Sequence, residues 1–180
     1  MTVIDVDRHG TVAISDDPAH AAYPIARWER VARPAAEPGV RSHAHAVVEV
    51  LRRFGGHAPR AVLGGEFTAH PGTETVIEVG LAGRGMFDTD DAPRCSSLLG
   101  EMTLVAGLPA ELAAELATAV RGHSAALPAG TLRVHRAAYD LINSSEAIFA
   151  QAAAALVTVL SARVYGQEVH DPTRQLVSTW

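Results

Sequence analysis

The sequence predicts an α+β fold arranged as a two-layer sandwich, with helices covering one face of a sheet. Three observations support this prediction: strand-like alternation between residues 61 and 139, an amphipathic helix within that stretch, and an almost wholly apolar helix after it. The chain has 180 residues, of which 48% are apolar and 19% charged. It is therefore long enough for one domain with a proper core, or one domain with a small appendage.

The first sixty residues are expected to form an extension of short strands packed on the core. Residues 3–7 and 11–14 alternate as two strands joined by a tight turn at Arg8-His9-Gly10. Residues 23–31 fit either a strand or a short helix, and a loop rich in proline follows at 33–39.

One helix is expected within this extension. It would open at Ser42 and end at Gly55-Gly56, because positions 46, 47, 50, 51 and 54 are apolar at helical spacing. On such a helix His43 and His45 would not share a face, so they are not expected to bind a metal together.

Residues 61–166 are expected to form the main domain. Residues 61–69 and 75–81 are predicted to be paired strands joined at His70-Pro71-Gly72, followed by a polar loop at 83–94 and a strand at 98–105.

The predicted helices of the main domain flank its last strand. The first begins near Pro109, carries one apolar stripe and ends at Gly122. A strand at 131–139 follows, and Asn143 then resembles an N-cap, with Glu146 placed to complete a capping box. The second helix runs to about Arg163, and residues 167–180 form a mainly polar tail.

Composition restricts the possible functions. The net charge of −5 argues against general binding to nucleic acid or membrane surfaces. Cys95 is the only cysteine, so neither a disulfide framework nor a cysteine zinc site is expected. The longest apolar run is short and alanine-rich, and no signal-peptide pattern opens the chain. We therefore expect a soluble, cytoplasmic protein without a cofactor.

Four motifs, in order over roughly residues 64–164, resemble domain IV of the elongation factor G family of translational GTPases. The family's Asp-Ser-Ser-Glu-Met-Ala-Phe corner corresponds to residues 143–149, and its Gly-Gly-Val-Ile-Pro-Lys-Glu segment to residues 106–111. Its Gly-Lys-Phe and Val-Val-Ile-Glu-Leu strands correspond to residues 65–67 and 75–79. The resemblance implies a ribosomal protein S5 domain 2-like fold, which has a left-handed βαβ crossover.

The chain lacks the GTPase of this family and differs from the family at the end that contacts RNA. No P-loop is present, and there is no lysine to supply one, so GTP binding is not expected. The family's glycine-rich basic loop is reduced to residues 70–74, and Asp140 corresponds to its tip histidine, where an acid would repel phosphate. The resemblance therefore covers the core better than the RNA-contacting end.

Other candidate sites have simpler explanations. Asp88, Asp90 and Asp91 lack the glycine and distal glutamate of an EF-hand and fit a solvated loop. Ser144 and Ser145 lack the surroundings of a nucleophile elbow and fit a helix cap. No catalytic, cofactor-binding or metal-binding residue is predicted.

Three hypotheses for the function follow. The first is a stand-alone, non-enzymatic binding or assembly domain related to elongation factor G domain IV, able to form homo-oligomers through its open sheet face or its C-terminal tail. The second is a ribosome- or RNA-contacting accessory protein. The third is a small-molecule enzyme on the same fold, which requires a pocket lined by converging polar groups. The candidate RNA or partner contacts are Arg133, His135, Arg136, Asn143, Ser144 and Ser145.

Overall fold

The computed structural model, which describes residues 1–53 and 56–180, contains one mixed sheet and three α-helices. The strands are β1 (Thr2–Val6), β2 (Gly10–Ser15), β3 (Arg27–Pro34), β4 (Ser42–Leu51), β5 (Arg60–Ala69), β6 (Glu74–Leu81), β7 (Arg94–Ser96), β8 (Thr103–Ala106) and β9 (Gly130–Tyr139). The helices are α1 (Ala110–His123), α2 (Glu146–Val164) and α3 (His170–Val177).

The sheet has the order β1-β2-β4-β5-β9-β6-β3, and the β7–β8 hairpin joins the end of β9. The pairings along this order are antiparallel except for that of β6 with β9, which is parallel. The predicted direct pairing of residues 61–69 with 75–81 is wrong, because β9 lies between those strands. β9 is a central strand because it pairs with β5 on one edge and with β6 on the other, and its Leu132 and Val134 side chains are fully buried.

All three helices pack on the same face of the sheet. α1 contacts β6 and β3, α2 contacts β4 and β5, and α3 contacts β1 and β2. Phe67, Leu116 and Phe149 are fully buried between the two layers. The predicted α+β class is confirmed, and the opposite face of the sheet has no helix over it among the described residues.

The predicted helix opening at Ser42 is wrong: residues 42–51 form β4, which pairs with β2 on one side and β5 on the other. Both faces of β4 are buried, because Val48 and Val50 face the helices while Val47 belongs to a smaller apolar cluster on the opposite face. A strand buried on both faces gives a continuous apolar run, which also satisfies helical spacing. The proposed terminator Gly55 and the apolar Phe54 lie outside the described residues.

The Asn143 N-cap is also wrong. α2 begins at Glu146, Ser145 precedes it in an extended conformation, and no side chain caps the helix. Asp140 Oδ1 instead accepts from the backbone N–H groups of Ile142 and Asn143, at 2.7 and 2.9 Å. This acidic side chain therefore closes the turn that Asn143 was expected to organise.

The apolar character of α2 reflects burial in the core. An 18-residue window of this 19-residue helix has a mean hydropathy of 1.7 and is long enough to cross a membrane, contrary to expectation, yet 61% of that window is buried within the fold. Its contacts with β4, β5 and α1 account for that composition.

Three segment boundaries also differ from prediction. The strand expected at 98–105 begins only at Thr103, and Gly122 lies inside α1 instead of ending it. The tail that was expected to be polar contains α3, in which both Val177 and Thr173 are fully buried. The hairpin at 3–14 is confirmed by the pairing of β1 with β2, and the helix in α1 and the strand in β9 are confirmed as elements.

The first sixty residues extend the same sheet. β4 pairs with β5 along its whole length, and β3 pairs with β6 at the other edge. The proposed boundaries at 1–60, 61–166 and 167–180 stay a prediction.

A close approach between β5 and β9 predicts an unusual sensitivity to glycine substitution. An added Cβ at Gly65 would lie 2.2 Å from the Arg133 carbonyl oxygen, so Gly65→Ala should lower the free energy of unfolding by about 1–3 kcal/mol. Urea unfolding measures this change. Gly122→Ala is the matched control: nothing lies within 4 Å of its added Cβ, and alanine in α1 should stabilise by up to about 1 kcal/mol. Equal effects of the two substitutions would contradict the described pairing.

Candidate binding groove on the open sheet face

The face of the sheet opposite the helices carries a row of polar side chains. Cross-strand pairing places His43 opposite Thr68 and His45 opposite Glu66, and places Glu66 opposite Arg133 on the next strand. Residues two apart on a strand project to the same face, so His43 and His45 share this surface. The expectation that they could not do so was wrong because it assumed a helix.

A depression of about 170 Å³ lies in the middle of this face, and we call it the central groove. Its polar lining comes from three strands: His43 and His45 from β4, Glu66 from β5, and His135 and Arg136 from β9. Pro18, in the segment after β2, forms part of its rim. The groove therefore joins two of the candidate contacts, His135 and Arg136, to three side chains that the sequence analysis did not select.

A β-bulge positions the β9 side chains. The register of β5 and β9 shifts between Gly64 and Gly65, so that Gly65 pairs with Val134 and Gly64 with Arg136. The extra residue is His135. A bulge of this kind bends the strand and re-aims its side chains, and here His135 and the adjacent Arg136 both line the groove.

Each groove histidine has one ring nitrogen held by a fixed neighbour. His45 Nε2 donates to the Asp16 carbonyl oxygen at 2.9 Å, and His135 Nδ1 donates to the Arg133 carbonyl oxygen at 3.2 Å. His43 Nδ1 shares a hydrogen bond with Thr68 Oγ1 at 3.2 Å. The rings of His43 and His45 are stacked with centroids 6.4 Å apart. These contacts orient the imidazoles while leaving the second nitrogen of each ring without a partner among the described residues.

The charged groups around the groove are unequally paired. Arg133 Nε lies 2.7 Å from Glu78 Oε2, and Arg136 Nε donates to the Pro18 carbonyl oxygen at 2.7 Å. Glu66 has no ion pair or hydrogen bond through its carboxylate within the described part of the chain. Burial lowers the pKa of His135, and the nearby positive charge of Arg136 acts in the same direction.

A second depression, of about 220 Å³, continues the groove along the sheet. It shares Glu66 with the central groove and adds Thr68, Thr131 and Arg133, together with His70 from the turn before β6. His70 Nε2 lies 3.2 Å from Thr131 Oγ1. The polar surface therefore extends from the Pro18 rim to the shortened His70 turn.

The other end of the open face is closed by a buried polar network. Glu49 is fully buried and lies 3.5 Å from Arg60 Nη1, and Ser97 Oγ donates to the Glu49 carboxylate at 2.7 Å. The backbone N–H of Leu98 donates to the same carboxylate. These bonds fix the β7–β8 hairpin over the sheet, so the polar groups of this end stabilise the fold and are withdrawn from solvent.

The remaining candidate contacts lie apart from the groove. Asn143, Ser144 and Ser145 occupy the turn between β9 and α2, beyond the end of β9. Ser144 is buried and donates to the Arg60 carbonyl oxygen, while the Asn143 side chain donates to Asp140 Oδ1 at 3.3 Å. The structure thus brings Arg133, His135 and Arg136 together and separates them from these three residues.

Metal and nucleophile chemistry has little support. Among residues 1–53 and 56–180, no group of three His, Cys, Asp or Glu side chains is arranged to hold a metal ion. Cys95 lies beside the apolar cluster of the open face, and its desolvation, with Glu49 nearby, raises the pKa of its thiol to about 11. Its thiolate is therefore scarce at neutral pH.

Comparison with protein-family models, curated proteins and solved structures finds no match to this chain.

Loss of Arg60 should be strongly destabilising, because it would leave the Glu49 charge buried without its partner. We expect Arg60→Leu to lower the free energy of unfolding by about 3–5 kcal/mol. The double variant Glu49→Leu with Arg60→Leu should cost less than the single variant, since it removes both charges. Denaturant unfolding of the three proteins tests this, and a double variant less stable than Arg60→Leu would contradict a paired role.

Cys95 should react slowly with iodoacetamide in the native protein. With a thiol pKa of about 11, the thiolate fraction at pH 8 is about one in a thousand, and the rate should rise about tenfold per pH unit between about pH 7 and 10. Mass spectrometry of the alkylated protein measures the rate. Alkylation of native protein as fast as that of urea-unfolded protein at pH 8 would contradict this environment.

Proposed function

We propose that this chain is a non-catalytic binding domain whose contact surface is the open face of its sheet, centred on the central groove. One observation carries the proposal: three histidines and an arginine converge on a depression that no helix covers within the described residues. Polar groups that line a concave surface and whose hydrogen-bonding capacity is not used up by contacts within the fold are typical of ligand sites. The ligand best matched to this lining carries negative charge.

Binding is better supported than assembly. The C-terminal tail, one of the two expected assembly surfaces, packs on its own chain: Arg52 lies 5.6 Å from the centre of the Trp180 ring, and His9 Nδ1 donates to the Trp180 carbonyl oxygen at 2.9 Å. The open sheet face, the other expected surface, carries charged and imidazole groups around the groove. Homodimer interfaces are generally more apolar than this.

We further propose the relationship to elongation factor G domain IV, with an S5 domain 2-like fold. Supporting features are the helices on one face, the parallel pairing of β6 with β9, and the presence of α1 in the connection between those strands. The strand-to-helix corner at residues 140–145 also occurs where the resemblance requires it. These features concern the core and leave the ligand to be decided by the groove.

Binding to ribosomes or RNA is an alternative use of the same face, because Arg133, His135 and Arg136 lie on it together. Two features weaken it. Arg133 is paired with Glu78, and the side chains of Asn143 and Ser144, which were expected at the RNA-contacting tip, are hydrogen-bonded within the chain. A small-molecule ligand is favoured by a different observation, the small volume of about 170 Å³ with converging polar groups. The enzyme hypothesis requires a pocket of this kind, and such a pocket suits a non-catalytic binding protein equally well.

The proposed surface predicts charge-dependent retention on heparin, used here as a general polyanion. Arg133→Gln combined with Arg136→Gln should elute from a heparin column at lower salt than the unaltered protein. Arg121→Gln with Arg174→Gln is the matched control, because both arginines are exposed on the helical layer. Loading at about 50 mM salt keeps surface electrostatics weakly screened. Lack of retention of the unaltered protein, or equal shifts in both double variants, would count against the open face as a surface that binds extended polyanions.

The translation alternative predicts co-sedimentation with ribosomes at low and moderate salt. Binding that survives about 150 mM salt and is weakened by the Arg133/Arg136 double variant, but not by its control, would favour this alternative over a small ligand. Absence of co-sedimentation at both salt concentrations would exclude the ribosome as the partner while leaving the heparin result to decide the binding surface.

A further inference from the structure

We propose that the central groove is a proton-coupled site for a tetrahedral oxyanion, such as a phosphate group. This proposal rests on the proposed binding function and specifies its ligand. The groove supplies an arginine and three imidazoles within one depression of about 170 Å³, a volume suited to a small group and not to a protein segment. The essential feature is which ring nitrogen of each imidazole is already hydrogen-bonded within the fold.

The hydrogen bonds of His45 and His135 define their tautomers. In each ring one nitrogen faces a backbone carbonyl oxygen, Asp16 for His45 and Arg133 for His135. A carbonyl oxygen can only accept, so the facing nitrogen carries the hydrogen. The other nitrogen of the neutral ring is then a lone pair, which repels an oxyanion. Only the protonated imidazolium presents a second N–H donor, so these two rings can donate to an oxyanion only after proton uptake.

Arg136 provides the permanent positive charge of the site. Its Nε and Nη1 groups donate to the carbonyl oxygens of Pro18 and His135, at 2.7 and 2.9 Å. These two bonds fix the guanidinium at the groove wall, and its remaining N–H groups have no partner within residues 1–53 and 56–180. A guanidinium held in this way is well suited to bind phosphate oxygens.

The net charge of the groove becomes positive as the pH falls. At high pH the single carboxylate of Glu66 offsets Arg136, whereas protonation of the histidines leaves a clear excess of positive charge. The titratable and charged groups around the imidazoles are His43, His45, Asp16, Glu66, Glu78, Arg133, Arg136 and Arg163. Asp16 is paired with Arg163 and Glu78 with Arg133, so Glu66 is the carboxylate that opposes an incoming anion.

A divalent metal ion is the alternative ligand for the groove, because it would bind the lone pairs of the neutral imidazoles. It would be repelled by Arg136, and no set of three ligands is assembled among the described residues. The two ligands also differ in the sign of their pH dependence. Metal binding requires neutral imidazole and weakens in acid, whereas oxyanion binding strengthens.

The experiment is an NMR titration of the isotope-labelled chain with sodium sulfate between about pH 5.5 and 7.5, following the imidazole signals of the groove. Sulfate keeps its charge over this range, so any pH dependence belongs to the protein. We expect the affinity to rise about ten- to a hundredfold as the pH falls across these two units, corresponding to a mean uptake of about 0.5 to 1 proton on binding. Glycerol phosphate and inorganic phosphate, compared at the lower pH, distinguish an esterified from a free phosphate ligand.

Three variants sharpen the test. His135→Asn should reduce sulfate affinity at about pH 5.5 and flatten its pH dependence, whereas His123→Asn, on the exposed end of α1, should change neither. Glu66→Gln should raise the affinity about three- to tenfold at pH 7.5, because it removes the opposing charge without changing the shape of the side chain. Thermal unfolding verifies that each variant is folded.

The proposal is overturned if sulfate leaves the groove signals unchanged, if affinity rises with pH, or if Glu66→Gln weakens binding. Zinc binding that grows with pH and perturbs His45 and His135 would replace it with a metal site. Failure of sulfate binding while heparin retention still depends on Arg133 and Arg136 would remove the oxyanion site and keep the broader binding function. Sulfate binding in the groove, without heparin retention that depends on Arg133 and Arg136, would keep the oxyanion site and exclude an extended anionic partner.

Discussion

The contact between β5 and β9 is the constraint on which the rest of this structure depends. β9 is paired with β5 on one edge, and its other edge is shared in turn by β6, an isolated bridge from Ala22 and the end of β8. At Gly65 the two backbones come so close that a Cβ would meet the Arg133 carbonyl oxygen. The register shift there keeps Leu132 and Val134 in the core while His135 and Arg136 line the opposite face. Core packing and the candidate site are thus consequences of the same irregularity.

The sequence predicted the elements whose signals are local. α1 has an apolar stripe, β9 alternates, and the first hairpin has a turn between two short alternating runs. β4 could not be identified as a strand from local signals, because it is buried by the helices on one face of the sheet and by other chain segments on the opposite face. Its alternation from His43 to Ala46 was the available sign of a strand, but the valine run after it satisfied both periods. Since β4 carries two of the groove histidines, missing the strand also meant missing His43 and His45 as neighbours of the candidate contacts His135 and Arg136.

The corner before α2 shows a different limit of sequence interpretation. Asn143 and Glu146 have the spacing of a capping box, yet Asp140 takes the role of holding the turn, and Ser144 bonds to the Arg60 backbone. Several side chains in one short segment can form such bonds, and tertiary contacts select among them. The choice of Ser144 depends on Arg60 in β5, which is 84 residues distant in sequence. The corner is therefore evidence about how the core is assembled, and the candidate contacts placed there have a structural role.

Two polar clusters on the same sheet face show how structural and ligand-binding groups can be separated. Glu49 and Arg60 are buried, paired with each other and covered by the β7–β8 hairpin. Glu66, His45 and His135 lie in an open depression, and each retains unused hydrogen-bonding capacity among the described residues. Burying a charge is unfavourable unless it is paired, so the first cluster is explained by folding alone. The second cluster is not paired in this way, which is why we propose that a ligand completes its bonds.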